Sequence, residues 1–445
     1  MAFALALGAL AWTLAGRSDE PARPNLVLIL ADDFGYECVG ANGGASYATP
    51  VLDRLAAEGA RFEHCHALPL CTPSRVQLLT GMLGWRNYVA FRALAPGQTT
   101  FANLLRDAGY ATCVVGKWQL GGGLDAPYDF GFDSYCLWQL TRHRIDGRDT
   151  RYGDPVLDVD GVELGPLRDQ YGPDVIAEYA ARFVRQNRRR PFLLFYSAIL
   201  PHGPFGPTPS SPDWVSDHSS QMDVNGDPAR YGEMVTYLDG VVGRIVSEID
   251  ALGLRERTLV VFTGDNGTAA SVVSDFRGRR VAGGKGTTLD TGTHVPLIVR
   301  WPGTVPAGVV RDELVDFVDF LPTFLEVARV RPPPRLPLDG ASLMPALLGT
   351  EGPRRKSIAG WCSPKGDPMD AKLWARDRRF KLYGEGVLHD VLADPGENDP
   401  IPARAATPEA RSARRALAAV LRDQRKARSR ALGSAELSPP RGPRR

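Results

Sequence analysis

The sequence predicts an α/β sandwich with a large, mainly parallel central sheet flanked by helices, followed by a small C-terminal α+β domain with an antiparallel sheet. Short, wholly apolar runs recur along the chain, as strands buried on both faces require. Amphipathic helical patterns separate them, the alternation that builds such a sandwich. The proline-rich run RPPPRLP at 331–337, followed by short alternating segments, predicts the second domain.

NLVLILA (25–31) is the first buried strand. TPVLDRLAAEGA opens a helix with Thr49 and Pro50 as cap and first-turn pair, and TTFANLLRDAG repeats the arrangement. ATCVVG (111–116), FLLFYSA (192–198), TLVVFTG (258–264) and VPLIVRW (295–301) supply further strands. Between 228 and 252, Met234, Leu238, Val241, Ile245, Ile249 and Leu252 keep helical spacing. After the linker, SIAGWC, KLWARD and FKLYGEGVLHDV form a short antiparallel meander. ARSARRALAAVLRDQRKARSRAL is then a terminal helix with Leu417, Val420 and Leu421 on one face. The expected divisions are an export signal at 1–20, a catalytic domain at 21–335, a small domain at 336–425 and a basic, disordered tail at 426–445.

A chain of 445 residues with 43% hydrophobic content builds a large core of ordinary soluble composition. Its net charge of +2 hides an asymmetry, because residues 401–445 carry twelve Lys or Arg against three acids. Neither a nucleic-acid partner nor stable membrane insertion is expected. Residues 2–15, AFALALGALAWTLA, read as a signal for export to the periplasm or beyond, although no Lys or Arg precedes them. A mis-called start or an apolar anchor are the alternatives, and without a functional signal the chain is cytoplasmic. Cysteines at 38, 65, 71, 113, 136 and 362 show neither a C-x-x-C pair nor a metal-finger spacing. Apart from Cys71, they read as buried small hydrophobes.

In an open α/β sheet the active site lies at the carboxyl ends of the strands. ADD, GKWQ, AILPHGP and TGDNG stand at four of these ends. Asp32 and Asp33 would repel each other unless a cation held them, and Asp265 with Asn266 offers further oxygens. An all-oxygen set suits Ca²⁺ or Mg²⁺ rather than zinc. Standing alone, the two aspartates would merely cap a turn. Lysine is scarce, seven against 46 arginines, yet Lys117 and Lys285 both fall in glycine-flanked loops where a compact ammonium suits a small oxyanion. A P-loop is excluded, since Gly286 follows Lys285 and Arg279 occupies the place of the first glycine. His202, held among prolines in LPHGPFGP, is a candidate acid or hydrogen-bond donor. His64, His66, His143 and His294 are unranked alternatives for approach to the site.

Cys71, Thr72, Pro73, Ser74 and Arg75 form C-x-P-x-R at a helix start. With NLVLILADDFGY, GYATCVVGKWQLG, PYDFGFDSY, PHGPF, TGDNG, GGKGTTLDTGTHVPLIV and the late FKLY…LHDVLADPGEND, in that order, the chain resembles the sulfatase family, bacterial arylsulfatase-like members of the alkaline-phosphatase-like superfamily. The resemblance implies oxidation of Cys71 to formylglycine by a maturation enzyme, and one Ca²⁺, alternatively Mg²⁺, held by Asp32, Asp33, Asp265, Asn266 and the modified Cys71. It implies that Arg75 holds the formylglycine hydrate while Lys117, His202 and Lys285 contact sulfate. One hydroxyl of the hydrate would attack sulfur, the alcohol would leave protonated by His202 or Lys285, and collapse of the hemiacetal would expel sulfate. The substrate so implied is a sulfated small molecule or sulfated glycan.

Gln119 departs from the family's usual G-K-W-H. Glutamine hydrogen-bonds sulfate but accepts no proton at neutral pH, which leaves His66, His294 or a water as base for the collapse. Two rival functions stand beside this one: a phosphodiesterase or phosphonate hydrolase of the same superfamily, against which Asn266 speaks, and a sulfated-glycan-binding protein without turnover, suggested by the basic tail.

Overall fold

The computed structural model describes residues 23–140, 144, 145, 148–215, 226–352 and 354–436. The proposed export signal, His143 and the last nine residues lie outside them. Ten strands form the central sheet: β1 (Asn25–Ala31), β2 (Ala60–His66), β3 (Ala111–Lys117), β4 (Ser134–Trp138), β5 (Leu157–Val159), β6 (Val162–Leu164), β7 (Phe192–Ser197), β8 (Thr258–Gly264), β9 (His294–Arg300) and β10 (Val309–Asp316). Their order across the sheet is β10-β2-β9-β8-β1-β7-β3-β4-β5-β6. β8, β1, β7, β3 and β4 run parallel to one another, whereas β9 enters antiparallel to β8 and β5 antiparallel to β4.

Burial on both faces explains why the parallel strands read as continuous apolar runs. Leu26, Leu28 and Leu30 of β1 join a core that also holds α2 (Cys71–Thr80), α3 (Phe101–Asp107) and α6 (Phe320–Val327). Val27, Ile29 and Ala31, on the opposite face, pack with α1 (Pro50–Ala57), α4 (Gly172–Asn187) and α5 (Tyr231–Ala251). The spaced apolar residues of α5 are buried as expected, with Leu252 half-buried just past its end. Among the described residues, all six cysteines are free and buried.

Helix caps divide between local and tertiary solutions. Thr100 forms a capping box with Asn103 at the start of α3. Thr49 sits at the cap position of α1, but its hydroxyl accepts from Gly40 N–H (2.9 Å) and caps no helix amide. The amides of Val51 and Leu52 donate instead to the Asp239 carboxylate of α5, both at 2.9 Å.

Four antiparallel strands, β11 (Ile358–Cys362), β12 (Lys372–Arg376), β13 (Phe380–Tyr383) and β14 (Leu388–Asp390), make the expected meander. Helix α7 (Pro408–Glu436) lies on this sheet, burying Leu417 and Leu421 against Phe380, Leu382 and Leu388. Two expected boundaries shift. Leu343, Met344 and Leu347 join the core of the large sheet, so the chain just beyond the proline-rich run still belongs to the catalytic body. At the other end α7 continues to Glu436, so residues 426–436 are helical.

Candidate active site

The four chemically loaded strand ends are neighbours in the sheet, in the order β8, β1, β7, β3. Ala31 pairs with Gly264, Leu30 with Ser197 and Ser197 with Gly116, so the residues that follow emerge at one level. Adjacent strands lie about 5 Å apart, which gathers their side chains without any contribution from the loops. Asp33, at φ 62°, and Gln119, at φ 55°, adopt left-handed backbone that residues with a side chain rarely take. Strain of this kind concentrates at functional sites.

Two overlapping clusters form here: Asp32 with Asp33 and His202, and Asp32 with Cys71 and Asp265. Within each, ligand-capable atoms lie within 4.8 Å of one another. Asp32 and Asp265 are fully buried. Each carboxylate has a cationic partner. Lys117 Nζ donates to Asp32 at 2.7 and 2.9 Å, Lys285 Nζ to Asp33 Oδ2 at 2.5 Å, and Arg75 to Asp265 Oδ2 through Nε (3.1 Å) and Nη2 (2.8 Å).

Burial pushes the Asp32 and Asp33 carboxyls upward, but Lys117 and Lys285 respectively lead the charges that hold both below the usual range. Asp265 goes the other way. Burial and the adjacent Asp32 draw it up to about 7 against the pull of Arg75, the usual effect of desolvation and a neighbouring like charge. Asn266 donates to Asp33 Oδ1 and the Gly267 carbonyl, both at 2.9 Å, while its own Oδ1 is buried with no partner. A crowded carboxylate set and an orphaned amide oxygen fit a hard divalent cation.

Cys71 is the first residue of α2, a helix buried along its whole length. Ser74 stabilises the entry: Leu68 N–H donates to its Oγ (3.0 Å), and the hydroxyl is hydrogen-bonded to the Leu70 carbonyl (2.9 Å). Arg75 lies one turn on, fully buried, with Nη1 donating to the Lys117 carbonyl (3.0 Å) and bonded to Ser197 Oγ. Its donors are thus occupied by groups on three strand ends. Burial pushes the Cys71 thiol up, despite the nearby Lys117 ammonium.

A cavity of about 240 Å³ opens onto this cluster, lined by Leu70, Cys71, Lys117, Gln119, His202 and Lys285 together with Phe91, Arg92, Trp138, Gln139, Asp149 and Arg151. Gln119 is buried, with its Oε1 unpartnered. His202 Nδ1 lies 2.6 Å from the Gly203 carbonyl and Nε2 3.0 Å from Lys285 Nζ. Desolvation lowers His202 to about 4, so the ring is neutral. Arg151 Nη1 also lies 2.7 Å from Nδ1, so each ring nitrogen faces a cationic donor, Arg151 at Nδ1 and Lys285 at Nε2, and a neutral ring accepts from one of them. His66 and His294 do not line the cavity. They stack on each other (ring centroids 4.8 Å apart) beside Arg376, and His294 Nε2 is bonded to the Glu63 carbonyl at 2.8 Å.

Sequence reasoning missed Arg151. Its guanidinium pairs with Asp149 (2.9 Å), donates to the Gly203 carbonyl (2.6 Å) and stacks 4.2 Å over the Trp138 ring, packing His202 from behind. Within RDTRY, an acid and an arginine two apart carry no signal that distinguishes them from a solvated loop. Tyr231 was also unmarked, and its hydroxyl supports the Asp33 carbonyl at 2.8 Å.

A model of the sulfatase family matches residues 24–330, and one described as N-sulphoglucosamine sulphohydrolase, C-terminal, matches 284–408. The chain is 34% identical over 364 residues to N-acetylgalactosamine-6-sulfatase of Canis lupus familiaris, covering 75% of this chain and 68% of that protein. It is 32% identical over 408 residues to arylsulfatase A of Homo sapiens, covering 84% and 77%. The crystal structure of Ps i-CgsB in complex with k-i-k-neocarrahexaose is similar with a TM-score of 0.73 at 26% identity, over 91% of this chain and 93% of that one. The chain belongs to the sulfatase family and is a sulfuric ester hydrolase.

Proposed function

We propose that hydrolysis proceeds through a formylglycine formed at Cys71, with one Ca²⁺ or, less favourably, Mg²⁺ held by Asp32, Asp33, Asp265, Asn266 and the modified residue. The observation that carries this reading is the place of Cys71: a buried thiol with a raised pKa, in one cluster with two carboxylates, facing a cavity lined by two lysines. As a thiol it is protonated, a poor nucleophile and a poor ligand for a hard cation. An oxygen function at the same position joins an all-oxygen ligand set and meets the positive end of α2. The ion, when bound, neutralises the carboxylates and polarises the oxygen at position 71.

Lys117 and Lys285 line the cavity and offer their ammonium groups to the sulfate of the substrate, and Gln119 adds a hydrogen bond. The proton for the departing alcohol oxygen comes from His202 or Lys285, whose Nε2 and Nζ lie 3.0 Å apart. Arg75 acts from below, holding Asp265 and the Lys117 strand end in place. The substrate is a sulfated sugar or small aryl sulfate, a range consistent with the names of the relatives. Export and maturation by a formylglycine-generating enzyme belong to the same reading. Comparing 4-nitrophenyl sulfate with the phosphate monoester and diester, with and without chelator, tests it. Preferred turnover of a phosphate or phosphonate ester would overturn it in favour of that branch of the superfamily, and sulfated-glycan binding with no turnover would leave only a binding protein.

Two smaller effects follow from the cavity. Gln119→Ala should lower kcat/KM for a sulfate ester by about 5- to 150-fold, the equivalent of one buried charge-assisted hydrogen bond worth roughly 1–3 kcal/mol. It should show no burst of alcohol, because glutamine is not the base. His66→Ala and His294→Ala should show no burst either, since neither ring reaches the cavity, which leaves a water as the proton acceptor. A burst in stopped-flow traces of either histidine variant would reverse that assignment. Arg151→Met should lower kcat on the order of 10-fold by releasing His202 from its support, as loss of outer-shell partners commonly does. Unchanged kcat would mean that the Gly203 carbonyl alone suffices.

A further inference from the structure

The late motif FKLY…LHDVLADPGEND has no part in the site described above, yet it buries charge. Lys381 and Glu397 are almost entirely excluded from solvent, and Lys381 Nζ lies 2.8 Å from Glu397 Oε1. A buried ion pair is often no more stabilising than apolar residues of the same volume, so stability alone is a weak reason for it. Its contacts suggest another. The Lys381 ammonium also donates to the Thr288 carbonyl, Tyr383 Oη lies 3.2 Å from that carbonyl and 2.5 Å from Glu397 Oε2, and Glu397 Oε1 accepts the Asp290 amide at 2.7 Å. Arg376 pairs with the Asp290 carboxylate. Small-domain residues therefore grip Thr288 and Asp290 of the catalytic body through both backbone and side chain.

The segment so gripped carries Lys285. At its other end it is tied to the catalytic body: the amides of Gly283, Lys285 and Gly286 donate to the carbonyls of Val272, Thr268 and Pro69 at 2.8–3.0 Å. Pro69 lies two residues before Cys71. The loop is thus stretched between the approach to Cys71 and the small domain, with Lys285 three residues from the Thr288 carbonyl that Lys381 holds.

We propose that Lys381 and Glu397, assisted by Tyr383, are positioning residues that set the ammonium of Lys285 at the active site, so that the small domain is part of the catalytic apparatus. The inference rests on the reading of Lys285 as a substrate-contacting residue. Releasing Thr288 removes the tie nearest Lys285 at the small-domain end of the loop, leaving those that Glu397 and Arg376 make to Asp290, and loosens the register of Lys285 with Asp33 and His202.

A double-mutant cycle tests this with full-length enzyme and 4-nitrophenyl sulfate. Lys381→Met should lower kcat/KM by about 10- to 100-fold, comparable with other outer-shell losses, and Lys381→Arg should recover part of it. In a Lys285→Ala background, Lys381→Met should cause no further loss, because it acts through the residue already removed. Tyr383→Phe, which removes only a hydroxyl and serves if Lys381→Met does not fold, should lower kcat/KM several-fold with the same non-additivity. Losses that add in the double variants, or a lowered Tm with kcat/KM unchanged, overturn the proposal while leaving the role of Lys285 intact. An inert Lys285→Ala would instead overturn the reading of the active site itself.

Discussion

Cys71→Ala should abolish turnover, with kcat falling on the order of 10⁴-fold or more, as expected when a covalent nucleophile is removed. The side chain is small and the entry to its helix is held by the bonds of Ser74 to Leu68 and Leu70, so circular dichroism and Tm should show an intact fold. Cys71→Ser separates the two halves of the reaction. Serine offers an oxygen but no second hydroxyl with which to release sulfate, so at most one equivalent of alcohol should appear before the enzyme stalls. Mass spectrometry of the peptide spanning residues 62–75 should find formylglycine in active preparations. An unmodified thiol in fully active enzyme would sink the mechanism.

Chelation should remove activity almost completely, and Ca²⁺ should restore it, with elemental analysis of the active enzyme showing about one ion per chain. The chelated protein should remain folded. Lys117, Lys285 and Arg75 pair with Asp32, Asp33 and Asp265, so the buried carboxylates keep partners without an ion. Its Tm should fall only by the binding free energy of the ion. Asp32→Ala should behave differently, losing both activity and roughly 3–5 kcal/mol of stability, because Lys117 is left buried without its carboxylate. Two zinc ions per chain, or full activity in chelator, would contradict the proposed ligand set.

The sequence by itself determined the fold class, the spans of the buried strands and the positions of Asp32, Asp33, Lys117, His202, Asp265, Asn266 and Lys285 at or beyond strand ends and in loops. These are legible because burial imposes apolar runs, helices impose their period, and polar residues break the pattern where a strand leaves the sheet. Cys71 was legible through its neighbours Pro73 and Arg75. Tertiary structure alone decided what depends on contacts between distant segments. β9 reads as buried like its neighbours, yet it runs antiparallel, because burial fixes composition and not direction. Asp239 rather than Thr49 caps α1, since a carboxylate from another helix reaches its amides. His66 and His294 stood as unranked alternatives for approach to the site until the strand order placed them beside Arg376 and away from the cavity. Arg151 had no local signature, and Lys381, though it stands in the FKLY motif, had none that pointed to its role. One gains its role by stacking on Trp138 behind His202, the other by crossing from the small domain to the loop of Lys285, and such juxtapositions exist only once the chain has folded.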